Sequence, residues 1–252
     1  MFSDKNQKIV CTIEARMTSS RLPGKVLMPL AGEPALQRII ERIKRSKSID
    51  EVVVATTENI SDQPIIDLCN KIRCPYFRGS EHDVLRRVLD AAKLFNGEII
   101  VEITGDCPLI DHRHIDKVVE LFYSGEYDYA ANCIEPSFPE GFAVQVFPTK
   151  ILEEVDKLTD DYIDRIHVSY YIYNHPERYR LIDWKAKGDM YWPGLALTLD
   201  EEDDYVLLNK IFNEFFPGNQ DFSSEDVVFL LRRRPDLVAI NAGVRRKIPQ
   251  EG

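Results

Sequence analysis

The chain has 252 residues, 44% of them hydrophobic, and a formal net charge of −10. This length fits one large α/β domain with an appendage, and the hydrophobic content suffices for a substantial core. The acidic balance argues against nucleic acid or an anionic membrane as a partner.

The five cysteines form an odd set with no C-x-x-C spacing. This pattern indicates neither a disulfide framework nor a zinc site. The sequence also shows no secretory apolar segment and no apolar run of about 18 residues. We therefore expect a soluble, cytoplasmic protein with reduced thiols and no membrane contact.

Strand-like and helix-like segments alternate through the first half of the chain. The predicted strands are 9–13, 51–56, 76–78 and 98–104. The predicted helices are 33–47, one that begins at 61–62, one that begins at 80–83, and 114–123. This alternation predicts an α/β fold with a mostly parallel sheet and helices on both faces.

The second half is less regular. Its predicted strands are 129–132, 142–147, 179–182 and 196–199, and its predicted helices are 162–173, 202–216 and 224–233. We expect a single domain over residues 1–252, with a small inserted arm at about 134–195 that leaves the main sheet.

The stretch from Ala15 to Lys25, called here the cationic loop, links the first predicted strand to the first predicted helix. In open α/β sheets, ligands bind at this carboxyl end of the strands. The loop carries three cations, Arg16, Arg21 and Lys25. It also carries three hydroxyl side chains, in residues 18–20, and the turn-forming pair Pro23–Gly24. Such a loop can bind a polyphosphate. An ordinary solvated basic loop fits the same composition.

The string A-R-M-T-S-S-R-L-P-G-K resembles the nucleotide-binding signature of the CMP-sugar-acid synthetases, a cytidylyltransferase family, in which A-R-x-x-S-x-R-L-P-G-K follows the first strand. It most resembles the spore coat polysaccharide biosynthesis protein F branch, which is similar to CMP-KDO synthetase. Neither a Walker A loop nor a G-x-G-x-x-G motif is present, which disfavours those nucleotide sites. The resemblance implies a Rossmann-like nucleotidyltransferase sheet, an arm that helps to form a homodimer, and nucleotide binding by Ala15, Arg16, Thr18, Ser19, Arg21 and Lys25.

Two aspartates follow predicted strands. Asp106 lies in G-D-C-P, after Gly105, which we expect to allow close approach of a phosphate or metal. Asp200 precedes an acidic helix start that also contains Asp204. Turn and helix-start roles would explain such acids as well. In the family the corresponding aspartates coordinate Mg²⁺, so the resemblance implies that Asp106 and Asp200 are metal ligands.

Attack at the α-phosphorus of a nucleoside triphosphate needs charge neutralisation and positioning more than covalent chemistry. In this scheme Arg16, Arg21 and Lys25 hold the β- and γ-phosphates, and Mg²⁺ on Asp106 and Asp200 bridges the α-phosphate and the attacking oxygen. We expect the three cations and Asp106 to be the catalytic residues.

The segment R-G-S-E-H-D-V-L-R-R also resembles a family string that borders the base and the triphosphate. It implies nucleotide contacts for Ser80 and Arg87, and Thr104 stands where the family contacts the pyrimidine. A helix cap followed by an exposed basic face is the alternative for this segment.

The acceptor site is less clearly marked. Arg165 and His167 match an R-x-H-V segment of the branch, which implies either acceptor binding or an interface, and packing is equally compatible. Ala143 and Gln145 stand where the branch often carries two acids, so the acceptor's identity is open, with Gln145 kept as an acceptor-binding candidate.

The sequence therefore predicts a cytidylyltransferase that joins the CMP moiety of CTP to an acidic sugar or related anionic acceptor, for surface polysaccharide or glycan synthesis. A nucleotidyltransferase that uses another nucleoside triphosphate or a sugar phosphate remains open. So do a metal-dependent glycosyltransferase that uses the Asp200–Asp204 cluster and a non-catalytic nucleotide-binding subunit.

Overall fold

A computed structural model describes residues 7–246 of the chain. Its strands are β1 (Ile9–Glu14), β2 (Pro29–Leu30), β3 (Glu33–Pro34), β4 (Glu51–Thr57), β5 (Tyr76–Gly79), β6 (Ile99–Thr104), β7 (Tyr129–Ala131), β8 (Gln145–Pro148) and β9 (Leu181–Asp183). Its α-helices are α1 (Ala35–Ile43), α2 (Gln63–Lys71), α3 (Val84–Leu94), α4 (His112–Tyr123), α5 (Thr149–Leu158), α6 (Tyr162–Ile166), α7 (Tyr170–Asn174), α8 (Glu202–Phe215), α9 (Ser224–Arg233) and α10 (Pro235–Val238).

Seven strands form the central sheet in the order β5-β4-β1-β6-β8-β7-β9, and β2 pairs with β3 in a separate hairpin. The first four strands of the sheet are mutually parallel, β8 runs antiparallel to both β6 and β7, and β9 is parallel to β7. The predicted mostly parallel α/β sheet is confirmed. Because β1 lies between β4 and β6, the cationic loop leaves the sheet near its centre.

Helices cover both faces because the strand residues alternate between two apolar clusters. On β1, Ile9, Cys11 and Ile13 pack with the apolar faces of α1, α2 and α4. Val10 points the other way, toward apolar residues of α3 and α5. A third cluster joins α8, α9 and α10 to the extended segment 195–199. In the part of the chain that the structure describes, no helix has the length and apolar character needed to cross a bilayer.

The second half departs from the prediction in four places. The segment 134–195 does not leave the sheet as a whole, because β8 and β9 are sheet strands. The predicted helix 162–173 is two helices, α6 and α7, interrupted near Val168, which has a φ of 42°. Residues 196–199 form only an isolated bridge, Glu140 to Ala196. Helix α5 was not predicted, although Ile151, Leu152 and Val155 follow helical spacing and are buried.

Three polar side chains lie on the α3 face of the sheet, beneath its carboxyl edge. Thr12 on β1 lies opposite Glu102 on β6, and Glu14 lies opposite Thr104 two residues further along the strands. Thr12, Glu14 and Glu102 each bury one oxygen that has no hydrogen-bond partner among the described residues. Burial raises the pKa of Glu102 to about 8, although Ser169 and Gln145 oppose the shift through hydrogen bonds. Burial and the neighbouring Glu102 also raise the pKa of Glu14.

This acid pair predicts a pH-dependent stability. The pKa of Glu102 is about 8 in the fold against 4.5 for an ordinary glutamate. A carboxyl with a raised folded-state pKa stabilises the fold fully below its unfolded pKa and loses that contribution as the pH rises through the folded one. We therefore expect the wild type to lose free energy of unfolding relative to Glu102→Gln between about pH 4.5 and about pH 8.

Urea unfolding of both proteins across this range measures the difference. Glu58→Gln, at an exposed position just after β4, is the matched control and should track the wild type. Parallel stability profiles for the wild type and Glu102→Gln would show that Glu102 does not hold its proton in the fold.

Candidate active site

A cleft of about 600 Å³ opens at the carboxyl ends of β1 and β6. Its walls come from the cationic loop, from the turn after β6, from the segments 140–143 and 198–200, and from α6 and the residue that follows it. The cleft therefore lies where an open parallel sheet places its ligands.

The cationic loop is held by a buried aspartate that sequence analysis treated only as a helix start. Asp62 accepts a hydrogen bond of 2.7 Å from the backbone N–H of Met17. Its other oxygen accepts from the hydroxyls of Thr56 and Thr57 at the end of β4. The Met17 amide is thus committed to Asp62 rather than to a phosphate, and the loop is fixed to the neighbouring strand.

The turn before Lys25 has the expected form. Gly24 has a φ of 73°, a left-handed conformation that favours glycine, and its N–H donates to the Met17 carbonyl at 2.9 Å. A short 3₁₀ helix, Lys25–Leu27, follows directly. This geometry closes the loop and directs Lys25 into the cleft, where it is a lining residue.

Lys25 connects the two aspartates predicted to act together. Its Nζ lies 3.2 Å from Oδ2 of Asp106 and 2.9 Å from Oδ1 of Asp200. Arg21 adds a second cation, with Nη2 2.8 Å from the same Asp200 oxygen. Residues separated by up to 179 positions in the sequence therefore meet in one cluster of charges.

A threonine two residues before each aspartate orients its carboxylate. Thr104 donates through Oγ1 to Oδ1 of Asp106 at 2.7 Å, and Thr198 donates to Oδ2 of Asp200 at 2.9 Å. The repeated T-x-D spacing was visible in the sequence and could have identified Thr198. Both carboxylates therefore face the cleft in defined rotamers.

Backbone hydrogen bonds bring Asp200 to Asp106. The N–H of Leu199 donates to the Asp106 carbonyl at 2.8 Å, and the N–H of Leu197 donates to the Glu140 carbonyl at 2.8 Å. The extended segment 195–199 therefore runs between the turn after β6 and the segment before β8. Asp204 then accepts from the N–H groups of Asp200 and Glu201, as a helix-start residue of α8.

Charge balance decides the ionisation of the cluster. Burial opposes the charged form of both Lys25 and Asp200, whose side chains are only 12% and 11% exposed. The opposite charges prevail: Asp106 and Asp200 raise the pKa of Lys25, and Lys25 and Arg21 lower the pKa of Asp200. Both shifts favour the charged forms, so Lys25 and Asp200 are held as an ion pair.

Gly105 allows a close backbone contact at the sheet edge. Its N–H donates to the Glu14 carbonyl at 2.9 Å, and a Cβ atom at this position would lie 2.4 Å from that oxygen. The glycine thus allows β6 to approach β1, and its predicted role in admitting a phosphate or a metal stays a prediction.

Most predicted site residues do line the cleft. Those that do are Ala15, Arg16, Ser19, Arg21, Lys25, Arg87, Thr104, Asp106, His167 and Asp200. Arg87 is only 3% exposed, and its guanidinium donates to the carbonyls of Ala55 and Ser80. It therefore also ties α3 to β4 and to the loop before the helix.

Four predicted site residues use their side chains in contacts with other protein groups. The Thr18 hydroxyl donates to Glu81, and the Ser80 hydroxyl accepts from the N–H groups of His82 and Asp83. Arg165 forms ion pairs with Asp83 and Asp156, which join α6 to α3 and α5. The amide oxygen of Gln145 accepts from Tyr129 and Ser169. Nucleotide binding by Thr18 and Ser80, and acceptor binding by Arg165 and Gln145, are not supported by these side-chain positions.

Among the described residues, sequence analysis missed four charged residues that line the cleft, which are Glu14, Glu81, Glu140 and Arg246. Glu140 lies just before β8, and Arg246 is the last residue that the structure describes. Nothing in the local sequence around Arg246 connects it to the cleft, since that link depends on how the last helices pack. Glu140 lies three residues before Ala143, in a stretch where sequence analysis considered only Ala143 and Gln145.

The acids of the cleft fit magnesium when a phosphate ligand contributes oxygen atoms. Within residues 7–246, no group of three or more His, Cys, Asp or Glu side chains forms a complete metal site. Asp106 and Asp200 offer two oriented carboxylates, which match the one or two that Mg²⁺ uses alongside water and substrate phosphates.

Comparison with known proteins bears on the identity of this site. Residues 10–214 match the family described as Cytidylyltransferase. The chain is 32% identical over 238 residues to spore coat polysaccharide biosynthesis protein SpsF of Bacillus subtilis, covering 90% of this chain and 95% of that protein. It is 34% identical over 112 residues to a 3-deoxy-manno-octulosonate cytidylyltransferase of Geobacter sulfurreducens, covering 44% of each.

A solved structure agrees with these matches. A cytidylyltransferase from Leptospira borgpetersenii superposes with a TM-score of 0.87 at 32% identity, and the match covers 96% of this chain and 99% of that one. The resemblance inferred from the cationic loop is confirmed. With the family match extending over most of the chain and the fold shared along its length, the protein belongs to the cytidylyltransferase family.

Proposed function

We propose that the protein is a Mg²⁺-dependent cytidylyltransferase that transfers CMP from CTP to an acidic sugar and releases pyrophosphate. The observation that carries the proposal is the meeting of Lys25 with Asp106 and Asp200, at 3.2 Å and 2.9 Å, on the floor of the cleft. A cation beside two oriented acids is the arrangement that a triphosphate with its metal requires.

The roles of the chain's residues follow from charge. A triphosphate carries about four negative charges that must be neutralised before an anionic or hydroxyl nucleophile can approach the α-phosphorus. Arg16, Arg21 and Lys25 provide three positive charges on one loop, and we assign them to the leaving β- and γ-phosphates. Asp106 and Asp200 would hold Mg²⁺, which supplies Lewis-acid neutralisation at the α-phosphate. No covalent intermediate on the protein is needed for direct in-line displacement.

The acidic-sugar acceptor is supported by the relatives' names and by the cleft. One relative is named for spore coat polysaccharide biosynthesis and another for 3-deoxy-manno-octulosonate, a sugar acid. On this chain the wall beside the acids contains Ala143, Tyr162 and His167, and we assign it to the acceptor. The use of the product for surface polysaccharide or glycan synthesis, a homodimer and a cytoplasmic location stay predictions. The five free cysteines fit a reducing compartment.

Pyrophosphate release from CTP in the presence of Mg²⁺ and a panel of sugar acids tests the function. We expect release that depends on both the metal and one acidic acceptor, and little release with UTP, ATP or neutral sugars. Turnover of a nucleotide sugar without pyrophosphate release would instead support a glycosyltransferase. Tight CTP binding without turnover on any acceptor would support a non-catalytic subunit.

Asp106→Asn should remove a metal ligand while leaving the fold intact, because asparagine has nearly the same shape. We expect a fall in Mg²⁺-dependent turnover of about 100-fold or more, in a protein that stays folded because Lys25 keeps its pairing with Asp200. Asp67→Asn, an exposed position on α2, is the matched control and should keep full activity. Undiminished turnover in Asp106→Asn would exclude Asp106 from the mechanism.

Lys25→Ala should weaken the binding of CTP more than that of CMP, because Lys25 is assigned to the phosphates that leave. Loss of one charge-assisted contact corresponds to about 10- to 100-fold in affinity for CTP. Calorimetric titration with each nucleotide measures the difference, and Lys71→Ala on the exposed end of α2 serves as the control. Equal losses for CTP and CMP would contradict the assignment.

A further inference from the structure

The last described residues, 241–246, lie at the active site. Arg246 donates through Nη1 and Nη2 to the two carboxylate oxygens of Asp204, at 3.0 Å and 2.6 Å. Asn241 donates to the same carboxylate at 2.8 Å and also to the Ala196 carbonyl. Two residues after the last helix therefore converge on one buried acid, which is only 1% exposed.

Asp204 transmits this contact to Asp200. Its Oδ2 accepts from the backbone N–H of Asp200 at 3.1 Å and of Glu201 at 2.9 Å, so the same carboxylate holds the backbone that carries the Asp200 side chain. Arg246 itself lies 3.8 Å from Oδ2 of Asp200 and lines the cleft. The guanidinium, the buried acid and the proposed metal ligand thus form one connected unit.

The same segment contacts the cationic loop. The carbonyl of Arg245 accepts from Nη1 of Arg21 at 3.4 Å, and Nη2 of Arg21 lies 2.8 Å from Asp200. Residues 245 and 246 therefore lie against both parts of the site, the loop that carries the cations and the turn that carries Asp200.

Physical chemistry gives the consequence of losing Arg246. A buried carboxylate without its cation is strongly destabilised and is expected to turn toward new partners. Such a rearrangement weakens the hydrogen bonds that Asp204 accepts from the backbone N–H groups of Asp200 and Glu201. Small displacements of a group that must meet a reacting centre reduce rates steeply.

We propose that Arg246 is a positioning residue, which through Asp204 fixes Asp200 in the orientation needed to hold the metal–triphosphate complex. Residues 241–246, the last that the structure describes, are then part of the active site. This inference rests on the proposed metal role of Asp200.

The test compares Arg246→Ala with Arg234→Ala in the full-length chain. Arg234 is the matched control because it is exposed and pairs with Asp236 in its own turn. In Arg246→Ala we expect the Mg²⁺ concentration for half-maximal turnover to rise by about 10- to 100-fold, as for other partners that orient metal ligands. The KM for CTP at saturating Mg²⁺ should change far less, because Arg21 and Lys25 remain. Arg234→Ala should match the wild type.

Two further readouts separate positioning from general destabilisation. Mn²⁺ binding to the protein–CTP complex, followed by electron paramagnetic resonance, should weaken in Arg246→Ala in parallel with the kinetic constant. Added methylguanidinium should restore part of the turnover in Arg246→Ala and none in Asp204→Asn, where its binding partner is altered. If Arg246→Ala does not fold, Arg246→Lys provides the same comparison, since lysine keeps the charge but not the two-point contact.

An unchanged Mg²⁺ requirement and unchanged Mn²⁺ binding in Arg246→Ala or Arg246→Lys would overturn the inference. Failure of the proposed function would give different results. The wild type would show no Mg²⁺-dependent turnover, or the Asp200→Asn variant would bind Mn²⁺ normally. The two failures are therefore distinguishable in the same set of measurements.

Discussion

The ammonium group of Lys25 between the carboxylates of Asp106 and Asp200 is the interaction on which the arrangement of the site depends. Each group alone would be costly to bury in its charged form. Together, and with Arg21 beside them, they compensate one another's charges through short contacts. The same mixture of charges suits a ligand that brings both anionic phosphates and a cation.

The fold supplies this cluster through the ends of its central strands. β1 and β6 are adjacent and parallel, so the residues after both strands emerge at one edge of the sheet. Asp62 holds the cationic loop from the side of β4, and the segment 195–199 reaches Asp106 through backbone hydrogen bonds. Three separate parts of the chain are thus fixed before any ligand contact, which is the condition for electrostatic preorganisation.

The sequence was most informative where local pattern and tertiary position coincide. The apolar strands and the helices of the first half were predicted closely, because alternating segments leave few ways to build a parallel sheet. The convergence of residues 25, 106 and 200 was also predicted, from the resemblance of their motifs to the family together with their positions beyond strand-like runs. Acceptor binding by Arg165 and Gln145 stays a prediction. Their partners in the fold, Asp83 and Ser169, are distant in the sequence and gave no local signal. Arg246 carried no local signal, because its position depends on how α8, α9 and α10 pack.

The antiparallel insertion of β8 next to β6 has a consequence for one rim of the cleft. Because Gln145 pairs with Glu102, the residues that lead into β8 arrive at the same edge as the turn that carries Asp106. The rim at 140–143 is thus a connection between strands, and the backbone of Glu140 ties it to the segment 195–199. Gly141, with a φ of 106°, is held by the fold. Under the proposed function, the second substrate would therefore be selected through the side chains of Glu140 and Ala143, which line the cleft, rather than through the backbone of this connection.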